Sequence, residues 1–400
     1  MTTDRREFVK GAVAGALAPL FVPRRAWGAN DRIAYGLIGT GNRGGGLNKS
    51  FQKIGAQCAA LCDVYQPHLA AAVKDSPAGV KTHIEYEEML SQPGLDCIVI
   101  ATPDHQHLPM LFKALDAGKD VYLEKPLSLS LEQSTRMISR VRKTKQVVQI
   151  GMQRRSMGFI RQAKKMIDEG AVGKISMVKA MWNWHFALPL DTSPLAGELD
   201  WNRFLGSAPA RPLDPLRFRW WRGFWDYSGG NMTDQGTHLM DVVQWMTNSG
   251  PPRSAICQGQ IASAAGVEVP NVFTAVFEYP EFLATWTLDY RSTYEHDWSI
   301  RFQGEEATML LDRHGLRLYK DAGLSKAPWT QKVPLEPVLD IPETDAPEAH
   351  QQNFLDCLRT RSEPNCPVEI AAAAVTGPHM ANLAYREGRK VQYERMGQQA

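Results

Sequence analysis

The sequence lacks a dominant charge. Its 400 residues carry 45 lysines and arginines against 43 aspartates and glutamates, a formal net charge of +2. No overall field therefore favours nucleic acid or a membrane surface. Cysteine is sparse, with six in the chain. They form no C-x-x-C pair and no histidine–cysteine spacing that suits zinc, so no metal site is expected. Cys58 and Cys62 lie four residues apart in an expected strand. Both are expected on one face, packed as small apolar side chains rather than bridged. Internal repeats and low-complexity tracts are absent. So are long apolar runs: Gly11 to Val22 spans about a dozen residues, short of the roughly 20 that cross a bilayer.

That short run has its own meaning. Arg5 and Arg6, in DRREFVK, stand directly before it. Paired arginines ahead of a short apolar core suit a signal for the twin-arginine route, which moves proteins already folded. Ala26 and Gly28 offer small residues for cleavage near Gly28, although Arg25 and Trp27 make the site imperfect. No cysteine precedes Cys58, so no lipoprotein anchor is expected. Residues 1–30 are expected to be this export signal, read by the twin-arginine machinery, with an uncleaved amphipathic tail as the alternative. A periplasmic or extracytoplasmic location follows, without membrane attachment after cleavage. The remainder has room for two domains, expected at 31–152 and 153–393, before a tail at 394–400.

The first of these opens on a short apolar strand, Ile33 to Ile38, followed by Gly39-Thr40-Gly41-Asn42-Arg43-Gly44 and a helical pattern. A G-x-G-x-x-G means little alone. Here a second apolar strand follows and ends in Asp63, about 20 residues beyond Gly44, as a dinucleotide-binding fingerprint requires. The glycines let backbone approach a pyrophosphate, the helix N-terminus favours its charge, and the carboxylate takes the adenosine ribose hydroxyls. Asp63 would repel a 2′-phosphate, which favours NAD over NADP; Arg43 could soften that preference. Strands Asp96 to Thr102, Asp120 to Glu124 and a third ending near Met152 alternate with helical patterns. This predicts a parallel, doubly wound sheet with its ligand beyond the strand C-terminal ends. ATPDHQH, LEKPLS and IGMQRR should gather there. His105 and His107 stand two apart without a third ligand in sight.

With G-x-G-x-x-G, ATPDHQH and EKP in that order, the sequence resembles the glucose–fructose oxidoreductase/inositol dehydrogenase family, Gfo/Idh/MocA. The likeness runs from about Asp31 to Gln392 and continues through GGNMTDQGTHLMDVVQW, HQQNFLDCLRTRSEPNCPVE and ANLAYREGRKV. It implies that Lys125 of EKP lies beside the substrate hydroxyl and the nicotinamide, and that Asp234 and His238 match the family's Asp-x-x-x-His pair. Four residues apart on a helix, the pair shares one face. The carboxylate can then orient the imidazole, a suitable base for a carbinol proton. Cofactor contacts are expected from Gly39, Thr40, Gly41, Asn42, Arg43, Gly44, Asp63, Thr102, Pro103, His107, Glu124, Lys125 and Gln153.

After Met152 the pattern changes. In FLATWTLDY, Phe282, Ala284, Trp286, Leu288 and Tyr290 alternate with polar residues, the mark of an antiparallel sheet with one wet face. An α+β second domain with an open sheet is expected, and the resemblance implies pairing through that sheet into a dimer or tetramer. Six of the eleven tryptophans fall between Trp182 and Trp225. Aromatic faces stack on sugars and arginines donate to hydroxyls and carboxylates, so Arg154, Trp184, Trp221 and Tyr227 are candidate substrate contacts. An aromatic packing or subunit-contact loop reads as well.

Export and a dinucleotide site explain each other if the protein folds around NAD(P) and recycles it in place. The expected activity is hydride transfer at a hydroxyl carbon of a sugar. A glycosidase or lyase working through transient sugar oxidation is the alternative. The resemblance weighs against it, because the exported N-acetylgalactosaminidase branch does not keep the EKP lysine. A sugar-binding relic is the third reading.

Overall fold

A computed structural model describes residues 32–183, 190–262, 264–290, 294, 296–321, 336–344 and 346–393. The expected signal, the tail and Trp184 lie outside the described residues.

The first sheet holds β1 (Ala34–Ile38), β2 (Gln57–Cys62), β3 (Lys81–His83), β4 (Cys97–Ile100), β5 (Asp120–Leu123) and β6 (Val148–Ile150), in the order β3-β2-β1-β4-β5-β6. All pairs are parallel. Helices α1 (Asn42–Lys53), α2 (Gln66–Lys74), α3 (Tyr86–Leu90), α4 (His107–Asp116) and α5 (Leu131–Val141) link the strands. Helices cover both faces, so a central strand such as Cys97–Ile100 is apolar and buried throughout. The order reverses between β1 and β4, which opens a crevice at their C-terminal ends.

One expectation about this sheet fails. Cys58 and Cys62 are both buried, but Cys58 packs with Tyr35 and Leu37 on one face and Cys62 with Ile38 and Ile100 on the other. The register slips between Tyr35 and Gly36, paired with Cys58 and Ala60, so Ala59 is an extra residue. A bulge of one residue moves everything beyond it to the opposite face.

The second sheet has nine strands, in the order β14-β13-β12-β11-β7-β10-β9-β8-β15. They are β7 (Ile175–Asn183), β8 (Ser254–Gln260), β9 (Val272–Glu278), β10 (Leu283–Asp289), β11 (Asp297–Gly304), β12 (Ala307–Asp312), β13 (Gly315–Lys320), β14 (Leu339–Pro342) and β15 (Val391–Gln392). Every neighbouring pair is antiparallel except β7 with β10. The fold is thus a parallel doubly wound domain plus an α+β domain with a mainly antiparallel open sheet, as the sequence predicts. The period-two reading of β10 also holds: Phe282, Ala284, Trp286, Leu288 and Tyr290 are buried.

The inner face of this sheet is covered by α6 (Gly158–Asp168), α9 (Gly230–Asp234), α10 (Gly236–Thr247) and α12 (Val368–Glu387). Short helices α7 (Trp201–Leu205) and α8 (Pro215–Arg219) precede α9, and α11 (Ala349–Thr360) precedes α12. The last two tie the domains together. Phe354 of α11 packs with Phe51 and Tyr122 of the first domain. Along α12, Val368, Ala371 and Ala374 join the first domain's core, while Met380, Ala381 and Ala384 join the second's.

Trp286 is the largest fully buried side chain. Its Nε1 donates to the Met232 carbonyl at 3.4 Å, and a Cβ on Gly236 would lie 2.7 Å from that nitrogen. The indole therefore sets the depth at which the α9–α10 junction sits. Trp286→Ala is expected to lower unfolding free energy by about 3–5 kcal/mol, measured by urea denaturation. A loss below about 1 kcal/mol would show that this packing does not support the junction.

Candidate active site

A cleft of about 1310 Å³ lies beyond the ends of β1, β4 and β5, between the domains. Its first wall is the glycine loop. Gly39 has φ +84°, and a Cβ there would meet the Ala101 carbonyl at 2.7 Å; one on Gly44 would lie 1.8 Å from the Gly39 carbonyl oxygen. Both must be glycine for the loop to fold against β4. Gly41 caps α1 without a side-chain hydrogen bond, and no acidic residue occupies the first turn, so the helix presents free N–H groups to the cleft. At the end of β2, Asp63 Oδ2 accepts from Thr40 N at 2.7 Å and Thr40 Oγ1 at 3.0 Å. Tyr65 N donates to its Oδ1 at 2.9 Å. Thr40 thus positions the carboxylate.

Arg43 turns the other way. Its Nε lies 2.7 Å from Glu124 Oε1, within an ion pair on a buried carboxylate. Glu124 in turn fills the space beside Gly151, where a Cβ would come within 2.7 Å of it. A guanidinium committed to Glu124 leaves Asp63 unopposed, which fits NAD and disfavours a 2′-phosphate. Glycine cradle, open helix N-terminus and ribose-facing carboxylate together fit an adenine dinucleotide.

At the other end of the cleft, Lys125 follows β5. Its Nζ donates to Asp234 Oδ1 at 2.8 Å and to the Asp234 carbonyl at 3.0 Å. Arg222 Nε stands 3.1 Å from the same Oδ1. Burial alone would raise the Asp234 carboxyl, but Arg222 and Lys125 outweigh it and hold it well below the usual carboxylate range. Asp234 closes α9 and His238 lies in α10, and both line the cleft. The expected Asp234–His238 contact is not made, because the two cations claim the carboxylate. His238 Nδ1 is buried without a hydrogen-bond partner among the described residues. Burial, then the charges of Lys125, Arg154 and Arg43, push the imidazole well below its ordinary pKa. Both effects favour the neutral imidazole, which has an acceptor nitrogen, and oppose its protonation. Gln153 also lines the cleft, with a buried and unpartnered Oε1.

Of the other expected residues, Asn42, Thr102, Pro103 and Trp221 line the cleft. His107, Arg154 and Tyr227 do not. His107 is fully buried, with Nδ1 2.8 Å from the Pro126 carbonyl and Nε2 3.0 Å from the Thr102 carbonyl. It joins two cleft loops, those carrying Thr102 and Pro126. Arg154 is sandwiched between Trp182 and Trp298, 4.8 and 4.0 Å from the ring centroids. Tyr227 is buried among Trp201, Phe204 and Phe224. In each case sequence position marks the neighbourhood, and packing decides which way the side chain turns. Arg222, Trp182, Asn271 and Tyr290 line the cleft as well. Of these, Arg222 carries a sequence signal, as one arginine of the tryptophan-rich run.

The chain belongs to the Gfo/Idh/MocA family of oxidoreductases. Residues 33–152 match the profile of the oxidoreductase family with an NAD-binding Rossmann fold, and 160–310 match the GFO/IDH/MocA C-terminal domain. An uncharacterized oxidoreductase of Streptococcus pneumoniae serotype 4 (strain ATCC BAA-334 / TIGR4) is 30% identical over 287 residues, 70% of this chain and 68% of that protein. The scyllo-inositol 2-dehydrogenase (NAD(+)) of Bacillus subtilis (strain 168) is 41% identical over 87 residues, 22% of this chain and 25% of that enzyme. In fold, the chain is similar to the WlbA dehydrogenase of Bordetella pertussis, solved with NADH and UDP-GlcNAcA. The TM-score is 0.70 at 20% identity, covering 90% of this chain and 98% of that one. NAD is the favoured cofactor.

Burial makes the fold acid-sensitive. His105, His350 and His379 are pushed down to about 4, and His107 and His238 are also lowered, each mainly by burial. Below about 6.5 the unfolded chain binds protons at these positions that the folded one does not. Asp104, pushed up to about 7 by burial and then by Asp234, and Asp241, also raised by burial, act in the opposite sense but are fewer. Unfolding free energy is expected to fall as pH drops from about 6.5 to about 4, read by urea unfolding at each pH. A rise over that window would contradict the assignment.

Proposed function

We propose that the protein is an exported oxidoreductase that moves a hydride to and from a hydroxyl carbon of a sugar, using NAD that stays bound between turnovers. The observation that carries this reading is the Lys125–Asp234 pair facing the cleft that His238 also lines. NAD, when bound, supplies the hydride acceptor and donor. Gly39, Gly41, the α1 N-terminus and Asp63 would hold its pyrophosphate and ribose. His238 takes the hydroxyl proton. Lys125, aimed by Asp234, stabilises the developing alkoxide, and Arg222 fixes Asp234 from its other side. Trp182 and Trp221 offer apolar faces for a sugar ring.

Export by the twin-arginine route rests on the DRREFVK stretch, and retention of NAD follows from export, since free dinucleotide is scarce outside the cytoplasm. The chemistry must then balance within one protein. The hydride taken from one sugar returns to a second carbonyl substrate. A glycosidase reading, in which it returns to the same sugar after elimination, is favoured by one observation. The glycosyl hydrolase family 109 protein 2 of Shewanella sp. (strain ANA-3) is 35% identical over 159 residues, 32% of this chain and 35% of that protein. Assembly into a dimer or tetramer through the outer face of the nine-stranded sheet is supported by the exposed Ile256 and Leu283 there. A monomer by light scattering would reject that assembly.

Mass spectrometry of molecules released on denaturing the purified protein is expected to find near-stoichiometric NAD(H). Lys125→Met should retain that nucleotide while losing about 10²–10⁴-fold in turnover of sugar substrates. Full turnover in the variant would overturn the role of Lys125. Release of free sugar from an aryl glycoside, without net redox change, would decide for the glycosidase.

A further inference from the structure

The dinucleotide cleft has a roof that belongs to the second domain. Between β7 and α9 the chain leaves its own sheet, crosses the first domain and returns. Leu190, Arg203, Phe218 and Arg219 of this stretch line the same cleft as the glycine loop and Asp63. The crossing has two hydrogen-bonded fastenings to the first domain, beyond β2 and beyond β4, and Arg203 Nη2 also pairs with Glu85 Oε2 beyond β3 at 3.0 Å.

The first fastening follows Asp63 directly. Tyr65 and Leu199 form an antiparallel bridge, in which Gln66 N donates to the Glu198 carbonyl at 3.0 Å and Asp200 N to the Val64 carbonyl at 2.9 Å. The Tyr65 hydroxyl donates to the Ala196 carbonyl at 2.7 Å. The second fastening follows β4. His105 Nε2 lies 2.8 Å from the Phe204 carbonyl, and Gln106 Nε2 donates to the carbonyls of Arg203 and Phe204, both at 3.0 Å. Two first-domain side chains thereby satisfy the Arg203 and Phe204 carbonyls near the end of α7, while the Leu205 carbonyl accepts from Ala208 N. Gly206, at φ +52°, lets Gln106 in: a Cβ there would lie 2.4 Å from its Nε2. This accounts for the pair His105 and Gln106, which the hydride-transfer chemistry does not use.

Under this roof, beside Asp63, an aromatic wall is formed from both domains. Phe218 stacks on His68 with centroids 6.0 Å apart and an interplanar angle of 29°, and meets Tyr65 edge-on at 4.9 Å. His68 Nδ1 is 3.9 Å from Asp63 Oδ2, and its side chain remains 42% exposed, facing the cleft. Flat apolar surface next to a ribose-binding carboxylate suits a purine base.

We infer that the stretch from Leu190 to Tyr227 is a closed strap that completes the adenosine end of the dinucleotide site, with His68 and Phe218 walling the adenine, so that NAD leaves only when the strap lifts. This rests on the reading of the cleft as an NAD site and supplies the physical cause of the retention proposed above. Each fastening hydrogen bond shifts the opening equilibrium roughly two- to twelvefold, and they act together because the strap lifts as a unit.

The test is nucleotide exchange. Holoprotein carrying isotopically labelled NAD is mixed with excess unlabelled NAD, desalted at intervals, and the retained label is read by mass spectrometry. The native protein is expected to keep its label through desalting. A Tyr65→Phe, Gln106→Leu double variant, with native circular dichroism and cooperative unfolding, is expected to exchange at least about tenfold faster. Phe218→Ala keeps every fastening hydrogen bond and removes part of the aromatic wall. It is expected to weaken NAD binding without disturbing the fold. Native protein that binds NAD but exchanges it within the mixing time overturns the strap while leaving the NAD reading intact, whatever the variants do. Native protein that binds no NAD overturns both.

Discussion

The contact between Lys125 and Asp234 holds the two domains in register. Lys125 comes from the end of a first-domain strand, and Asp234 from the last turn of a second-domain helix, 109 residues later. Both are largely shielded from water, so separating them carries a desolvation cost. Arg222, 3.1 Å from the same Asp234 oxygen, shares the carboxylate with Lys125. Trp286 fixes the helix junction from below and α12 runs through both cores, so the cleft is built around a junction that has little freedom. Lys125 and His238 then face one space.

Much of the first domain was legible because its rules are local. A glycine required for close approach, an acid at the end of the next strand and continuous apolar runs each have a cause within about 30 residues of chain. Where the cause was remote, local reasoning failed. The spacing of Asp234 and His238 places both on one face, but spacing could not reveal that Lys125 and Arg222 would occupy the carboxylate. Cys58 and Cys62 were assigned one face by simple alternation, and a single extra residue, Ala59, separated them. His107, Arg154 and Tyr227 were correctly associated with the cleft-forming segments and wrongly aimed, since alternation says nothing about which of two adjacent hollows a side chain fills.

The tryptophan-rich stretch admitted two readings, a sugar cleft or a packing loop, and the structure divides it between them. Trp201, Phe224 and Tyr227 lie in a small core of their own, and Phe204 both joins that core and lines the cleft. Phe218, Trp220 and Trp221 line the cleft. An irregular segment needs its own apolar anchor to hold a fixed position over a wet cavity, because its backbone lacks the repeating hydrogen bonds of helix or sheet. The dual use is thus one solution: the inward rings fix the segment, and the outward rings are presented by it.

The cysteines extend the same logic to the proposed route of export. All six are free and buried. Burial raises the thiols of Cys58, Cys62, Cys97, Cys257 and Cys366, keeping them protonated and poorly nucleophilic. A chain threaded unfolded into an oxidising compartment would present these thiols to one another before any core had formed to separate them. A chain that folds first sequesters them. On the proposed route the thiols and the dinucleotide would place the same demand on the protein, because each would have to be enclosed before export. The strap proposed over one and the core around the other would meet that demand in a single folding event.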